Sequence, residues 1–463
     1  MKKIIKIVLI ISIFLPLLIY FTGFGKTSLS ILKYYAPFNL GNNIKEKINI
    51  FNNISKLKSE KIKTEKNLGK IPKLIGYLPI RLTGSKKYID INNKRFNFKK
   101  FEISLLLISK NKVFNTKGNS YIDNFGKKLF VVSGNGIFSY IDLDEFNKDE
   151  SKLIFLPTNI KEIIKNNDFY INSRIGIKDI LISENNIYVS YVKEVIKNCF
   201  NIAIIKAKIN KDYLKFEEFF NPPQNDRVCK DYIDFNAHST GGRIVKYKNN
   251  NLLLSTGEFL DSLKAQNSES TLGKILEIQN SGKKFKLVSK GHRNVQGLFF
   301  DQVNNTIYST EHGPFGGDEI NINNLDKNEV KNYGWPIASY GEHYGGKSML
   351  NKLTRYIKYP LKKSHKNNGF IEPLKFYIPS VGISNILILD NEFLNSDNQQ
   401  ILSTSLKGKS LNYIQIKNNE IILDETIQLG ERIRDIIYIK DINKIILTLE
   451  NEDENSKIAI ISN

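Results

Sequence analysis

Cysteine is scarce in this sequence of 463 residues, which contains only Cys199 and Cys229. Two cysteines at this spacing match no metal-binding pattern, so a cysteine-based metal site is not expected. A disulfide and two separate thiols both remain open, because a sequence does not give the distance between two Cα atoms.

Long uncharged apolar runs are also scarce, which excludes a polytopic membrane protein. Only residues 7–25 form such a run, and Lys2, Lys3 and Lys6 precede it. As a helix it would span about 28 Å, close to the thickness of a hydrocarbon core. We predict that residues 1–25 are a signal anchor in the inner membrane, or a signal peptide if they are cleaved. Either one places the rest of the chain in the periplasm or, after cleavage, in the secreted fraction.

Acidic residues are few relative to basic ones, 47 against 68, which leaves a net charge of +21. The lysines are scattered among Asn and Ile and form no block, so we expect a solvated basic surface and no nucleic-acid partner. Weak attraction to anionic lipid or acidic substrates remains open.

Helical patterns are scarce beyond residue 100. We predict that residues 26–100 are a linker segment with one amphipathic helix, followed by loops or a hairpin. Residues 101–463 consist of short apolar runs bounded by Asn, Gly, Asp and Lys. This pattern predicts an all-β domain over residues 101–463.

One unit recurs in this domain: a polar or glycine turn, a short strand, then Ser or Thr. The interval between successive strands is 44 to 65 residues, with one interval of 95. Six copies predict a six-bladed β-propeller, in which short strands are arranged radially. A pair of β-sandwiches is the alternative, but it does not explain the repeat. The strands are predicted to begin at Leu129, Ile187, Leu252, Thr306, Ile401 and Ile445.

Histidine, the usual general base near neutral pH, occurs only five times. His238 lies in a glycine-rich turn one hairpin away from Glu258, a spacing that would let the carboxylate orient the imidazole. Arg432 and Arg434 alternate along a strand and are predicted to face the same side. Such a pair suits a planar polyanion, although salt-bridged arginines are the alternative.

Residues 311–320, "EHGPFGGDEI", combine three glycines and a proline with three acidic side chains. A hard cation such as Ca²⁺ accepts both backbone carbonyls and carboxylates, so one interpretation is a calcium loop. The other interpretation is a surface turn.

Several segments in order resemble the glucose/sorbosone dehydrogenase family, the soluble aldose sugar dehydrogenases that depend on pyrroloquinoline quinone (PQQ). "GHRNVQG" is similar to the family's G-x-R-N-P-Q-G, "EHGPFGGDEINI" to its E-H-G-P-x-G-G-D-E-I-N, and "NYGWP" is its N-Y-G-W-P. The resemblance extends from about Gly176 to the end of the chain. It implies a six-bladed propeller, in agreement with the number of repeats.

The resemblance also implies the cofactors, PQQ and Ca²⁺. The carbonyls of Gly313 and Pro314 match those that hold the calcium touching the quinone. Glu319 and Tyr333 match positions that hold a second, structural calcium.

The implied reaction is hydride transfer from a sugar carbon to the quinone. His238 would accept the hydroxyl proton, Glu258 would orient His238, and Arg293 would polarise the quinone. The remaining residues would bind the oxygens and carboxylates of PQQ: Asn294, Lys407, Arg432 and Arg434.

The sequence therefore predicts a PQQ- and calcium-dependent dehydrogenase of an aldose sugar, attached to the membrane, with a quinone or cytochrome as electron acceptor. A non-catalytic calcium-binding propeller that binds a glycan or a protein is the alternative. Arg174, and one extra residue between His238 and Arg243, favour this alternative. A metal-dependent lactonase would need acidic ligands around the axis, where the sequence offers basic residues.

Overall fold

A computed structural model describes residues from 77 to 463 with several gaps, all within one compact unit. The predicted membrane segment, the predicted amphipathic helix and Arg174 lie outside the described residues. Within the described part of the chain, no helix combines the length and hydrophobicity that a membrane span requires. The described residues are 77–83, 87–103, 119–171, 175–229, 238–326, 329–344, 349–394, 396–418, 420–450 and 457–463.

The described residues fold mainly as antiparallel β-sheet, as predicted. They form six units of four strands, each strand pairing with the next. Unit one contains β4 (Ser120–Phe125), β5 (Lys128–Ser133), β6 (Phe138–Asp142) and β7 (Glu150–Leu156). Unit two contains β8 (Ile177–Ser183), β9 (Asn186–Ile196), β10 (Cys199–Lys208) and β11 (Phe216–Phe220). Unit three contains β13 (Gly241–Lys246), β14 (Leu252–Thr256), β15 (Lys274–Ile278) and β16 (Phe285–Lys290).

Unit four contains β17 (Val295–Asp301), β18 (Thr306–Glu311), β19 (Asp318–Asn324) and β21 (Lys375–Tyr377). Unit five contains β22 (Ile383–Leu389), β23 (Gln399–Ser405), β24 (Ser410–Lys417) and β25 (Glu420–Gln428). Unit six contains β26 (Arg432–Ile439), β27 (Lys444–Glu450), β28 (Lys457–Ser462) and β3 (Lys94–Glu102). The remaining strands are β1 (Tyr77–Leu82), β2 (Lys87–Ile91), β12 (Val228–Cys229) and β20 (Lys331–Asn332).

The first strands of the six units follow one another in a closed ring. Strand β4 contacts β8, and the series continues through β13, β17, β22 and β26 back to β4. Apolar side chains fill the space between neighbouring units, as between Phe138 of unit one and Phe216 of unit two, whose ring centres lie 5.0 Å apart. The ring therefore gathers the loops at each end of these strands around one axis.

The repeated sequence unit corresponds to the second strand of each sheet, and in four of the six units its Ser or Thr joins one sheet to the next. The hydroxyl of Ser190 donates to the carbonyl of Gly242 on the first strand of the following unit. Ser255 donates in the same way to Val295 at 3.4 Å, and the hydroxyl of Thr448 in unit six donates to Ser120 in unit one at 3.1 Å. This contact explains why a hydroxyl ends the repeated strand.

Asparagine in the repeat has a local cause. Turns between the first and second strands require positive φ angles, which Asn adopts more readily than most residues. Asn185, Asn250, Asn305 and Asn443 have φ between 48° and 59° in these turns. The polar turn therefore marks each hairpin.

The sheets begin earlier than the predicted boundary at residue 101. Strand β3 completes the sixth unit by pairing with β28, and β1 pairs with both β3 and β7. Phe96 and Phe101 of β3 are fully buried. The sequence pattern placed these residues in a linker because their partners lie more than 300 positions away.

Helices are few among the described residues, and short 3-10 turns account for several of the connections. A long insertion between β19 and β21 contains the longest helix. The α-helices are α1 (Ile160–Ile163), α2 (Asn167–Ile171), α3 (Met349–Lys358) and α4 (Asn391–Leu394), and the 3-10 helices are Leu143–Asn147, Lys248–Asn250, Ser262–Ala265, Lys366–Asn368 and Lys440–Ile442.

The two cysteines form a disulfide between β10 and β12. This decides between the two alternatives that the sequence left open.

Candidate active site

A cavity of about 1140 Å³ lies where the loops of units three, four and five meet. Most of its wall comes from segments that precede the first strand or follow the second strand of these units, and the long insertion between β19 and β21 supplies the rest. Six predicted site residues line this cavity: His238, Arg293, Asn294, Gly313, Pro314 and Lys407. A second cavity of about 1160 Å³, near Val303 and Asn418, contains none of the predicted site residues.

The stretch after β18 is a tight loop held by its own acid. The carboxylate of Asp318 accepts hydrogen bonds from the backbone N–H groups of Gly313 at 3.1 Å, Gly382 at 2.6 Å and Ile383 at 3.1 Å. A Cβ atom at Gly313 would lie 2.1 Å from the carbonyl oxygen of Gly317, so only glycine fits. The glycines and Asp318 together fix this loop at the cavity wall.

The carbonyl oxygens of Gly313 and Pro314 already accept hydrogen bonds. Arg293 donates to Gly313 through Nη1 at 2.8 Å, and the hydroxyl of Tyr344 donates to Pro314 at 3.3 Å. A carbonyl oxygen has two lone pairs, so each keeps one for a further partner. These oxygens suit the ligand chemistry of Ca²⁺.

Arg293 is held on three sides beside this loop. Its Nη1 also donates to the carbonyl of His312 at 3.0 Å, and its backbone N–H donates to the carboxylate of Glu311 at 2.8 Å. Its guanidinium lies 5.4 Å from the ring centre of Trp335. The cation is therefore fixed at the cavity wall before any ligand enters.

His312 is a half-buried histidine with both ring nitrogens engaged. Its Nε2 donates to the carbonyl of Ile383 at 2.5 Å, and its Nδ1 lies 3.4 Å from Nδ2 of Asn294. Burial and the neighbouring Arg293 lower the pKa of this imidazole, against the opposing charge of Asp318. His312 therefore faces the cavity as a neutral imidazole.

His238 lies exposed on the cavity, whereas the carboxylate of Glu258 is buried. Glu258 accepts hydrogen bonds from the hydroxyl of Ser262 at 2.5 Å and from Nε1 of Trp335 at 3.3 Å. The carboxylate is thus oriented by Ser262 and Trp335. Its predicted action on His238 stays a prediction.

The predicted cations fall into two groups. Lys407 is exposed on the cavity. Arg432 and Arg434 face the same side, as predicted, and both bind the buried carboxylate of Glu450, at 3.1 and 2.6 Å. The cavity wall does not include these two arginines. Their two positive charges face one buried negative charge in the described structure.

The comparisons with known proteins extend over most of this domain. The sequence profile described as Glucose / Sorbosone dehydrogenase matches residues 152–459.

This chain belongs to the glucose/sorbosone dehydrogenase family.

Curated members resemble the chain over part of their length. It is 28% identical over 234 residues to the aldose sugar dehydrogenase YliI of Escherichia coli strain K12, which covers 47% of this chain and 59% of that protein. It is 30% identical over 212 residues to the uncharacterized protein slr1608 of Synechocystis, covering 43% of this chain and 48% of the relative. The chain spans about half the length of the curated relatives it matches.

Solved structures of the family share the fold. A glucose dehydrogenase superimposes with a TM-score of 0.58 at 20% identity and covers 74% of this chain and 98% of that chain. The apo-form of the soluble aldose sugar dehydrogenase of Escherichia coli superimposes with a TM-score of 0.56 at 20% identity and covers 74% of this chain and 95% of that chain. The PQQ-bound aldose sugar dehydrogenase of Streptomyces coelicolor superimposes with a TM-score of 0.53 at 18% identity and covers 79% of this chain and 98% of that chain.

The second predicted calcium position does not fit the ion in this family member. Glu319 and Tyr333 line a small cavity of about 10 Å³, and the imidazole of His365 lies in its wall. Nε2 of His365 is 3.4 Å from Oε1 of Glu319. Burial, together with the nearby carboxylate of Glu311, raises the pKa of Glu319 well above its ordinary value. Among the described residues, no three His, Cys, Asp or Glu side chains are grouped to hold a metal.

Sequence reasoning left several cavity residues of this dehydrogenase-family chain without a role. His312 and Tyr344 lie within or beside the family motifs, which could have identified them. Lys363 comes from the insertion, where no motif marks it, and reaches the cavity while it pairs with Glu342 at 2.9 Å.

Proposed function

We propose that this chain oxidises an aldose sugar, with PQQ and a calcium ion bound in the cavity of about 1140 Å³. The six sheets, with their first strands in a closed ring, are proposed to be a six-bladed propeller whose loops form this site. The family membership and the name of the Escherichia coli relative support sugar oxidation.

One observation carries the proposal: six predicted residues from four separate segments of the sequence line the same cavity. His238, Asn294 and Lys407 come from three different units, and Gly313 follows the second strand of unit four. Such convergence of charged, amide and carbonyl groups in one concave site is typical of a cofactor pocket.

PQQ, when bound, would supply a quinone that accepts a hydride from the sugar. The chain's own groups suit this ligand. Lys407 and Arg293 offer positive charge to its carboxylates and quinone oxygens, while Asn294 offers an amide. The carbonyls of Gly313 and Pro314 would hold the calcium ion.

His238 is proposed to accept the proton of the sugar hydroxyl. The other cavity histidine, His312, donates its Nε2 proton to the carbonyl of Ile383 and faces Asn294 with Nδ1. His312 is therefore occupied in holding backbone and amide groups. His238, exposed on the cavity, is the imidazole placed to exchange a proton with a ligand.

We further propose that the chain acts in the periplasm, or outside the cell if it is cleaved, and passes electrons to a quinone or cytochrome. The basic, apolar character of residues 1–25 supports export and attachment to the inner membrane.

The test is a titration of the purified protein with PQQ in the presence and absence of CaCl₂, followed by dye reduction with a panel of aldoses. We expect calcium-dependent PQQ binding, and a loss of turnover of about 100- to 10,000-fold in His238→Ala with PQQ binding retained. His343→Ala is the matched control, because its imidazole bonds to the carbonyl of Tyr359 and does not line the cavity.

Absence of PQQ binding in the wild-type protein would reject the cofactor assignment. Normal turnover in His238→Ala would reject the role of this histidine.

A non-catalytic propeller is the second candidate. The observation that favours it is the bonding of Glu258 to Ser262 and Trp335, which engages the carboxylate expected to orient the base. PQQ-independent binding of a glycan, with no dye reduction on any aldose, would support this candidate.

A further inference from the structure

His365 lies in the long insertion, yet its side chain is buried under the calcium loop. Only 1% of the residue is exposed, and its ring stacks on Tyr340 with ring centres 5.4 Å apart and planes 9° apart. A loop histidine is usually solvated, so this burial needs a structural reason.

The imidazole contacts both residues that the family resemblance assigned to a second cation. Its Nε2 lies 3.4 Å from Oε1 of Glu319. The backbone oxygens of Tyr333 and Ile371 also face the ring, although neither ring nitrogen makes a hydrogen bond of regular geometry. The ring therefore lies between a carboxylate and a main-chain oxygen, the two kinds of ligand that calcium prefers.

The groups around His365 do not make up a calcium coordination shell. The adjoining cavity has a volume of about 10 Å³, enough for about one water-sized sphere. Calcium needs about six to eight oxygen ligands at roughly 2.3–2.6 Å, and an imidazole nitrogen is a poor ligand for a hard cation. The oxygens of Glu311 are already used by the backbone N–H of Arg293 and by the amide of Asn321.

We propose that the imidazole of His365 takes the place of the second, structural cation. It links Glu319 of β19 to the backbone beyond β20, and so attaches the insertion to the loop that carries Gly313 and Pro314. The proposal does not depend on the proposed sugar oxidation, since its tests need neither quinone nor sugar.

The first test compares the calcium response of the full chain and of Glu319→Gln by thermal unfolding, in CaCl₂ or EGTA and without quinone or sugar. We expect the two proteins to show the same calcium-dependent shift in Tm, whether zero or not, because any calcium bound lies elsewhere. A rise in Tm with calcium in the wild-type protein that Glu319→Gln abolishes would overturn the proposal.

The second test removes the ring. His365→Gly opens a hole beside Glu319 and Tyr333. We therefore expect added imidazole or CaCl₂ to raise the Tm of this variant by more than it raises the Tm of the wild-type protein. His343→Gly, the other insertion histidine, is the control and should gain nothing. Failure of both imidazole and calcium to stabilise a folded His365→Gly would count against the proposal, and if this variant does not fold, the Glu319→Gln comparison decides.

Discussion

Several buried charged side chains in this chain hold backbone groups. Asp318 binds three backbone N–H groups beside the cavity. The ammonium group of Lys274 is fully buried and donates to the carbonyls of Lys264, Ala265 and Leu272 at 2.7, 3.0 and 2.6 Å. These contacts fix the loop after β14, which also carries Ser262 to Glu258. Single residues thus determine where the cavity loops lie.

Lys274 should make the stability of the protein depend on pH. Burial lowers the pKa of its ammonium from 10.5 to about 7. Between these values the unfolded chain binds more protons than the folded one, so stability rises with pH. We expect the free energy of unfolding of the wild type, relative to that of Lys274→Met, to rise from about pH 7 to about pH 10. The rise corresponds to a change of up to roughly tenfold in the unfolding equilibrium constant per pH unit.

Chemical denaturation across this pH range measures the difference. Lys246→Met is the matched control, since this lysine is half exposed and pairs only with Glu184. A flat difference for Lys274→Met would show that its ammonium stays charged in the folded protein.

At the scale of the elements, the second strand of each sheet has two tasks. It fills the middle of its own sheet, and in units two, three, four and six its Ser or Thr hydroxyl donates to a carbonyl on the first strand of the next unit. The contact from Thr448 to Ser120 joins unit six to unit one. Hydroxyls at these positions therefore act between sheets, where an apolar residue would leave a buried carbonyl without its donor.

Thr448→Val should destabilise the protein by about 1 kcal/mol, because it removes one buried hydrogen bond at nearly constant volume. Thr448→Ser keeps the hydroxyl and should retain most of this contribution. Denaturant unfolding of both variants measures it. Thr426→Val, on the exposed face of β25, is the control and should change little. Unchanged stability in Thr448→Val would show that this hydroxyl does not contribute.

At the scale of the whole described unit, the ring is closed by strands from opposite ends of the sequence. Strand β3 lies beside β28, and β1 bridges units one and six. Phe101 of β3 is fully buried and packs edge-on against Phe146 of unit one, with ring centres 5.1 Å apart. Closure therefore depends on residues that precede the repeats.

Phe101→Ala should lower the free energy of unfolding by about 3–5 kcal/mol, as expected for removal of a buried aromatic ring. Tyr88→Ala in the neighbouring hairpin is the control, because that residue is 59% exposed and should cost at most about 0.5 kcal/mol. Thermal and denaturant unfolding compare the two. Equal, small effects would mean that β3 contributes little to closure.

The candidate site was predictable from the sequence to the extent that its chemistry is local. Gly313, Pro314 and Arg293 lie in short motifs whose order carries the family signal, and they meet at one cavity. Roles that depend on distant partners were not predictable. The arginines of β26 bind Glu450, and Glu258 binds Trp335 from 77 positions away.

The sequence by itself determined the mainly β character, the six repeated strands and the glycine-rich motif of residues 311–320. Each of these follows from periodicity, turn residues or a contiguous motif, which act over a few neighbouring positions. Only the tertiary structure decided that the cysteines are bonded, that β3 completes the last sheet and that His365 lies against Glu319. These contacts join residues distant in sequence, and which of many possible partners a buried group meets depends on how the whole ring packs.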